Sequence, residues 1–353
     1  MGTRTCWLLM PLKLQSTESD RVCGWFGKAL GFLAWITALV VAGTSIVLLW
    51  VLFFECLIRP VDGKDRVKWG GVWCLIAGAA FHARCLIRSN CGPALRNVLD
   101  QGETFFAAAL LCVISNNVAF YLHVPEPMPL KDIGFMAIPE QAVDSAWRAV
   151  SEFLTMLPSL MVFLQTCFMT EEERCIVHCA FFRLMTVCYV LRAVTVPLTI
   201  LPGPAPHCRP GSLQYNPPKD WIDVVTRVET IYGEYFTCGD LIFSGHMCFL
   251  TISLLLYLRV LHRHWKRYSR LPWSLGMLYL ATAAILFIAG RKHYTVDVAL
   301  GIIISFLVFF HFEHGWCPAC TQPSRKGATK ELQSEHLIQG GSESFLSNPI
   351  EFV

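Results

Sequence analysis

Charged residues are scarce in this sequence of 353 residues, since Asp, Glu, Lys and Arg make up 16% of it, against about 25% in ordinary globular domains. Hydrophobic residues reach 54%, and the mean hydropathy is +0.47. A disordered chain needs the opposite balance, so the composition excludes disorder and argues against a soluble enzyme. The net charge of +3 is too small to indicate a nucleic-acid partner.

The sequence also lacks a disulfide framework, although it contains 16 cysteines. Most of them lie in apolar runs, where a thiol behaves as a small hydrophobic side chain. Cys317 and Cys320 follow the last run and are interpreted as free thiols, with palmitoylation as the alternative. The chain has neither an HExxH motif nor clustered Cys ligands, so no metal site is predicted.

Long apolar runs, in contrast, are plentiful. A membrane-spanning helix needs about 20 mostly apolar residues, and eight runs approach that length: 29–54, 70–87, 104–122, 153–170, 175–201, 241–258, 273–290 and 294–312. They are continuous, unlike the alternating segments of about ten residues in membrane β-barrels. The sequence therefore predicts an all-α, polytopic membrane helix bundle.

Orientation follows from Lys and Arg in short loops. Loop 259–270 holds five of them and no acid, so it is predicted to be cytosolic, with loop 202–237 on the lumenal or exterior side. Residues 1–28 are predicted to be a cytosolic N-terminus and 314–353 a disordered cytosolic tail. Region 29–103 contains a conflict, because a second crossing at 70–87 leaves the basic residues Arg59, Lys64, Arg66 and Lys68 on the lumenal side.

Two short stretches place ionisable groups at a membrane boundary. Burying such groups in a membrane is costly, so they usually mark a functional site. The stretches are CGDLIFSGH at 238–246 and RKHYTVD at 291–297. His293 and Asp297 are four residues apart and share a helix face, where a carboxylate can orient a nucleophilic or general-base imidazole. Two crossings return the chain from His246 to the same side. The alternatives are ordinary interfacial histidines and a metal site of two His and one Asp.

A third stretch, residues 191–208, carries Arg192 inside an apolar run. Such an arginine should face a polar cavity or an anion, and its geometry suits a phosphate; the alternative is a side chain that snorkels to the interface. We predict that Arg192 binds substrate together with Asp240, Ser244 and Gly245.

The three stretches together resemble signature blocks of the sphingolipid synthase family, a membrane branch of the type-2 phosphatidic acid phosphatase (PAP2) superfamily. Residues 127–132, PMPLKD, are similar to a fourth block, with Lys131 intruding. The resemblance covers 104–313 and implies a six-span core, preceded by one or two extra N-terminal segments in 29–103. The blocks look most like those of plant inositol phosphorylceramide synthases.

The resemblance implies an enzyme that moves the phosphoinositol head group from phosphatidylinositol to the primary hydroxyl of ceramide and releases diacylglycerol. His246, His293 and Asp297 would form its triad, facing the lumen of the Golgi or another secretory membrane, without metal or other cofactor. A disulfide between Cys208 and Cys238 is a hypothesis for that oxidising side.

Three other activities stay open: a sphingomyelin or ceramide phosphoethanolamine synthase with the same triad, a lipid phosphate phosphatase, and a lipid-binding scaffold. The phosphatase is disfavoured because its usual Lys-x6-Arg-Pro block is missing from the sequence.

Overall fold

A computed structural model of the chain describes residue 37 and residues 44–59, 63–142, 146–227, 237–264 and 270–313. Regular structure in these ranges is helical throughout, which confirms the predicted all-α class. We number the helices α1 (Thr44–Ile58), α2 (Gly63–Asn90), α3 (Pro93–Leu122), α4 (Ile133–Ala137), α5 (Ala146–Thr166), α6 (Glu171–Thr195), α7 (Trp221–Thr226), α8 (Gly245–His264), α9 (Arg270–Ala289) and α10 (Thr295–Glu313).

Seven of the described helices are long and apolar enough to cross a bilayer, namely α2, α3, α5, α6, α8, α9 and α10. They support the predicted multi-pass membrane protein. Residues 1–28, the tail 314–353 with its cysteines, most of the run 29–54 and residues 265–269 of the basic loop lie outside the described ranges.

Helix α8 is the centre of the bundle and packs against α5, α6, α9 and α10. On one side, Leu250 and Leu254 pack in a cluster with Phe287 of α9. On the other, Ile252 packs with Met185 of α6. Because lipid is as apolar as these side chains, close packing rather than escape from water holds such helices together.

A glycine brings α10 against the start of α8. A Cβ atom on Gly301 would lie 2.9 Å from the carbonyl oxygen of Ser244 and 3.1 Å from Cβ of Met247. Any larger residue would therefore force the two helices apart. The same contact places the first turns of α8 and α10 side by side, and these turns carry the residues singled out by the sequence.

The connection 123–142 and the described residues 196–227 and 237–244 lie at one end of the bundle, which we call the site end. The C-terminus of α3 and the N-termini of α5, α8 and α10 meet there. Helix α3 begins at Pro93, so it includes residues 93–103, which the sequence analysis assigned to the N-terminal region.

The structure gives a physical reason for the basic residue Arg59 at this end. Its guanidinium Nη2 lies 2.7 Å from Asp223 Oδ1 and 3.4 Å from Asp220 Oδ1, both at α7. The indole of Trp50 also donates to the carbonyl of Val225 at 2.6 Å. We call this the α1–α7 contact. The charge of Arg59 is neutralised by these carboxylates, so its place at this end does not conflict with the rule that Lys and Arg in short loops favour the cytosolic side.

Candidate active site

The two histidine blocks are joined by a backbone hydrogen bond. The N–H of Ser244 donates to the carbonyl of Asp297 at 3.1 Å. Its hydroxyl accepts from the N–H of Met247 at 3.3 Å in the first turn of α8. The start of α8 is thus fixed to the start of α10. His246 and His293 consequently face each other, with ring centroids 5.9 Å apart.

His293 and Asp297 are both buried, and their side chains share one face as the four-residue spacing predicts. His293 Nδ1 lies 3.9 Å from Asp297 Oδ2, which accepts the backbone N–H of Tyr294 at 3.0 Å. Neither His293 Nδ1 nor Asp297 Oδ1 has a hydrogen-bond partner among the described residues. A shift of about 1 Å would close the gap, and catalytic hydrogen bonds often tighten only when substrate binds.

The pKa of His293 is held well below its usual value, mainly by burial and further by the positive charges of His246, Arg192 and Lys292. His293 is therefore neutral at physiological pH. A neutral imidazole keeps the lone pair that a nucleophile or a general base requires. With Nδ1 directed at Asp297, the reactive nitrogen is Nε2.

His246 has a different environment. Its side chain is 44% exposed, whereas that of His293 is 5% exposed. One face of its ring lies against Phe287, with centroids 5.3 Å apart. Its Nε2 lies 3.6 Å from Glu152 Oε2 of α5. At the site end, His246 is thus exposed and His293 is enclosed.

Arg192 is buried beneath the first turn of α8. Its Nη2 donates to the carbonyl of Asp240 at 2.9 Å and to Asp240 Oδ2 at 3.1 Å, and its Nη1 donates to the carbonyl of Phe243. A Cβ on Gly245 would lie 3.1 Å from Arg192 Nε. These contacts fix the segment before His246. A contact between substrate and Arg192, Asp240, Ser244 or Gly245 stays a prediction.

Glu152 and Lys292 were not predicted as functional residues. Lys292 Nζ forms an ion pair with Glu152 Oε1 and donates to the hydroxyl of Ser151 at 2.9 Å. Lys292 stands next to His293 in a stretch that the sequence analysis had marked. Glu152 carries no comparable signal, because it lies on α5, far before His246 in the sequence, and meets it only in the folded chain.

Asp132, the last residue of the fourth block, ties two elements of the site end together. Its carboxylate caps α4 by accepting from the N–H of Gly134 at 2.8 Å and of Phe135 at 3.1 Å. It also accepts the N–H of Thr295 at 2.9 Å and its hydroxyl at 2.5 Å. Since Thr295 begins α10, Asp132 fixes the turn that carries His293 and Asp297.

A disulfide joins Cys208 to Cys238, as hypothesised from the sequence. It links the two ends of the loop that contains α7, directly before the block that leads to His246. His207 lies beside these sulfurs, close enough for the three side chains to ligate a metal ion. Disulfide sulfurs are not thiolates, however, and thiolate is the form that binds a metal.

Comparisons with known proteins agree with this arrangement. The C-terminal model of the PAP2 superfamily matches residues 237–315, which include both histidine blocks. Phosphatidylinositol:ceramide inositolphosphotransferase 3 of Arabidopsis thaliana is 33% identical over 198 residues, which are 55% of this chain and 66% of that protein. The chain thus spans just under two thirds of that relative.

Two further relatives are similar over comparable lengths. Phosphatidylcholine:ceramide cholinephosphotransferase 1 of Gallus gallus is 25% identical over 233 residues, which are 62% of this chain and 53% of that protein. Phosphatidylinositol:ceramide inositolphosphotransferase 2 of Arabidopsis thaliana is 30% identical over 223 residues, which are 60% of this chain and 70% of that protein. With both blocks inside the PAP2 match, this chain belongs to the sphingolipid synthase family of the PAP2 superfamily.

Proposed function

We propose that this protein transfers the phosphoinositol head group of phosphatidylinositol to the primary hydroxyl of ceramide, yielding inositol phosphorylceramide and diacylglycerol. The observation that carries the proposal is the meeting of His246, His293 and Asp297 at one end of the bundle. Relatives of this chain are named as ceramide phosphotransferases for inositol or choline head groups.

The chemistry needs two histidines with different tasks. His293 Nε2, oriented by Asp297, either attacks phosphorus or removes the proton of the ceramide hydroxyl. In the first case the phosphorus–oxygen bond to diacylglycerol breaks, and His246 gives that oxygen a proton. Ceramide oxygen then displaces His293 from phosphorus and returns a proton to His246. In the direct case, the proton goes from ceramide to His293 while His246 protonates diacylglycerol. Positioned proton-transfer groups contribute about 10²–10⁴-fold each.

Inositol is the preferred head group because the inositolphosphotransferases of rice and Arabidopsis match at 30 to 35% identity, while the cholinephosphotransferases of chicken and Caenorhabditis elegans match at 25 and 30%. The two ranges meet at 30%, and the same triad serves any phospholipid donor. A cholinephosphotransferase therefore remains the second candidate, supported by the last two relatives.

We further propose that the site end faces the lumen of the Golgi or another secretory membrane. The disulfide between Cys208 and Cys238 supports this side, since disulfides persist in oxidising compartments. The described residues of the basic loop, 259–264 and 270, lie at the opposite end, and the loop should remain cytosolic. Non-reducing peptide mapping of protein in sealed membranes would contradict this orientation if it recovered both cysteines as free thiols.

The decisive experiment is donor choice. Detergent-solubilised full-length protein receives labelled ceramide with phosphatidylinositol, phosphatidylcholine or phosphatidylethanolamine in separate reactions, and products are identified by mass spectrometry beside a His293→Ala control. We expect inositol phosphorylceramide from phosphatidylinositol alone. A choline or ethanolamine product would correct the donor and keep the triad. Phosphate release from phosphatidic acid, without transfer from any donor, would contradict the proposal.

A further inference from the structure

Helix α5 contains a buried proline, Pro158, and nevertheless continues to Thr166. Proline has no N–H, so the carbonyl of Leu154, four residues earlier, loses the donor that a helix ordinarily provides. Inside a membrane span an unsatisfied backbone group is costly, and a neighbouring helix can satisfy it instead. The hydroxyl of Tyr279 on α9 donates to this carbonyl at 2.5 Å. A side chain of a second helix thus replaces the missing backbone donor.

Both partners of this hydrogen bond are anchored in the core of the bundle. Tyr279 and Leu154 pack against the cluster that contains Leu250 and Leu254 of α8 and Phe287 of α9. A phenol in the middle of an apolar helix also needs a hydrogen-bond partner, because burying a polar group without one is costly. The bond therefore satisfies a donor on α9 and an acceptor on α5 at the same time.

The part of α5 before Pro158, residues 146–157, leads directly to the candidate active site, and we call it the site-end half. It carries Ser151, whose hydroxyl accepts from Lys292 Nζ at 2.9 Å. Lys292 immediately precedes His293 in the turn between α9 and α10. A proline is the usual point at which a helix bends. Rotation of the site-end half about Pro158 would therefore displace a group that supports the turn carrying His293.

We propose that Tyr279 is a positioning residue for head-group transfer. Its hydroxyl holds the site-end half at a fixed angle to the rest of α5 and so keeps Ser151 beside Lys292. The inference rests on the proposed function, in which the neighbouring His293 acts as nucleophile or base. Tyr279 acts through α5, so its loss should slow the chemical step and leave the binding of lipid unchanged, because misplaced reacting groups cost rate.

The first test removes only the hydroxyl. In full-length Tyr279→Phe we expect kcat for ceramide transfer to fall by about threefold to tenfold, the range expected for one interhelical hydrogen bond in a membrane protein. KM for ceramide should stay within about twofold of wild type, since the change affects a step after binding. The matched control is Thr282→Val, because the Thr282 hydroxyl bonds the carbonyl of Leu278 within α9 itself at 2.9 Å. This control should transfer normally.

A second variant tests the role of the proline directly. Pro158→Ala restores the backbone N–H that can bond the carbonyl of Leu154 within α5, so the phenol is no longer required there. Adding Tyr279→Phe in the Pro158→Ala background should have no further effect on kcat, whatever the activity of Pro158→Ala itself. An equal loss from Tyr279→Phe in both backgrounds, or no loss in either, would overturn the proposal.

Hydrogen exchange of the purified protein, followed by mass spectrometry without substrate, gives the second readout. Tyr279→Phe should speed amide exchange in residues 149–157 by about threefold to tenfold and leave residues 159–166 unchanged, because local opening follows the lost bond. Equal exchange in wild type and variant, or the same increase in both parts of α5, would contradict a role in fixing the site-end half. Failure of the wild-type protein to transfer any head group would instead contradict the proposed function and would not alter the exchange comparison.

Discussion

Helices α2 and α8 are both long and apolar enough to cross a bilayer, yet 61% of the apolar window of α8 is buried and none of that of α2. Helix α2 is held by a few polar contacts. Trp73 donates to the carbonyl of Leu49 at 2.9 Å, and Arg84 pairs with Glu103 of α3 at 2.6 Å. The core is held by packing across its whole length, whereas the N-terminal pair α1–α2 is held by a few exposed or partly buried contacts. Changes in the core should therefore be costly and equivalent changes in α2 mild.

The largest difference is expected in catalysis. His293→Ala removes the proposed nucleophile or base, so transfer should fall by about 10²–10⁴-fold. Phe81→Ala removes a side chain of α2 that is 65% exposed and should leave transfer unchanged. Both are measured as initial rates of labelled ceramide conversion at equal protein content. Full activity of His293→Ala would contradict the triad.

The second largest difference compares a buried arginine with an exposed one. Arg192→Met leaves the carboxylate of Asp240 without its partner inside the bundle, and breaking a buried pair costs about 3–5 kcal/mol. Arg84→Met breaks a pair in which both side chains are about half exposed, which should cost at most about 1 kcal/mol. Thermal unfolding in detergent measures both. Equal decreases in Tm would show that the cost of breaking an ion pair does not depend on its burial in these two regions.

The disulfide offers a third comparison. Replacing Cys208 and Cys238 together by Ser removes the link across the loop before His246, which should lower the free energy of unfolding by about 2–4 kcal/mol. Replacing the exposed cysteines Cys74 and Cys85 of α2 should have no such effect. The same thermal assay compares the two double variants. An unchanged Tm in the first would mean that the loop needs no covalent closure.

Burial of His293 also predicts the acid limb of the pH profile. Because its pKa is lowered well below the usual value, the neutral form persists as the pH falls. Transfer should therefore decline only well below pH ~6.5, where an ordinary histidine is half protonated. The measurement is kcat/KM against pH from 4 to 8 (roughly the range in which histidines titrate). An acid limb at or above pH ~6.5 would contradict a buried, neutral His293.

The sequence predicted the helical class and the placement of both histidine blocks at the same end of the bundle, since these depend on local patterns and on counting crossings. It placed the start of the core at 104, where the apolar run begins. The structure extends α3 back to Pro93, because Asp100 and Glu103 of its first turns pair with Arg88 and Arg84 of α2. Hydropathy alone does not detect the start of a helix whose first turns are polar and form ion pairs with a neighbouring helix.

In the candidate site, too, relations within one helix could be predicted from the sequence, and contacts between distant helices could not. His293 and Asp297 were predictable because their spacing fixes their relation on one helix. Glu152 and its contact with His246 were not, since nothing local relates α5 to α8. The capping role of Asp132 at the start of α10 also depends on tertiary structure, although its block had been noted.

The smallest effect is expected at the α1–α7 contact, where the N-terminal pair reaches the site end. Arg59 is partly exposed, so Arg59→Gln should cost at most about 1 kcal/mol and reduce transfer no more than a few-fold. Its effect should instead be local: residues 221–226 of α7 should exchange amide hydrogens faster, because Asp220 and Asp223 lose the ion pairs with Arg59. Lys64→Gln, on the neighbouring turn of α2, is the matched control. Unchanged exchange in Arg59→Gln would show that α7 is held by the core alone. Faster exchange with normal transfer would show that the N-terminal pair α1–α2 supports this loop without taking part in the chemistry.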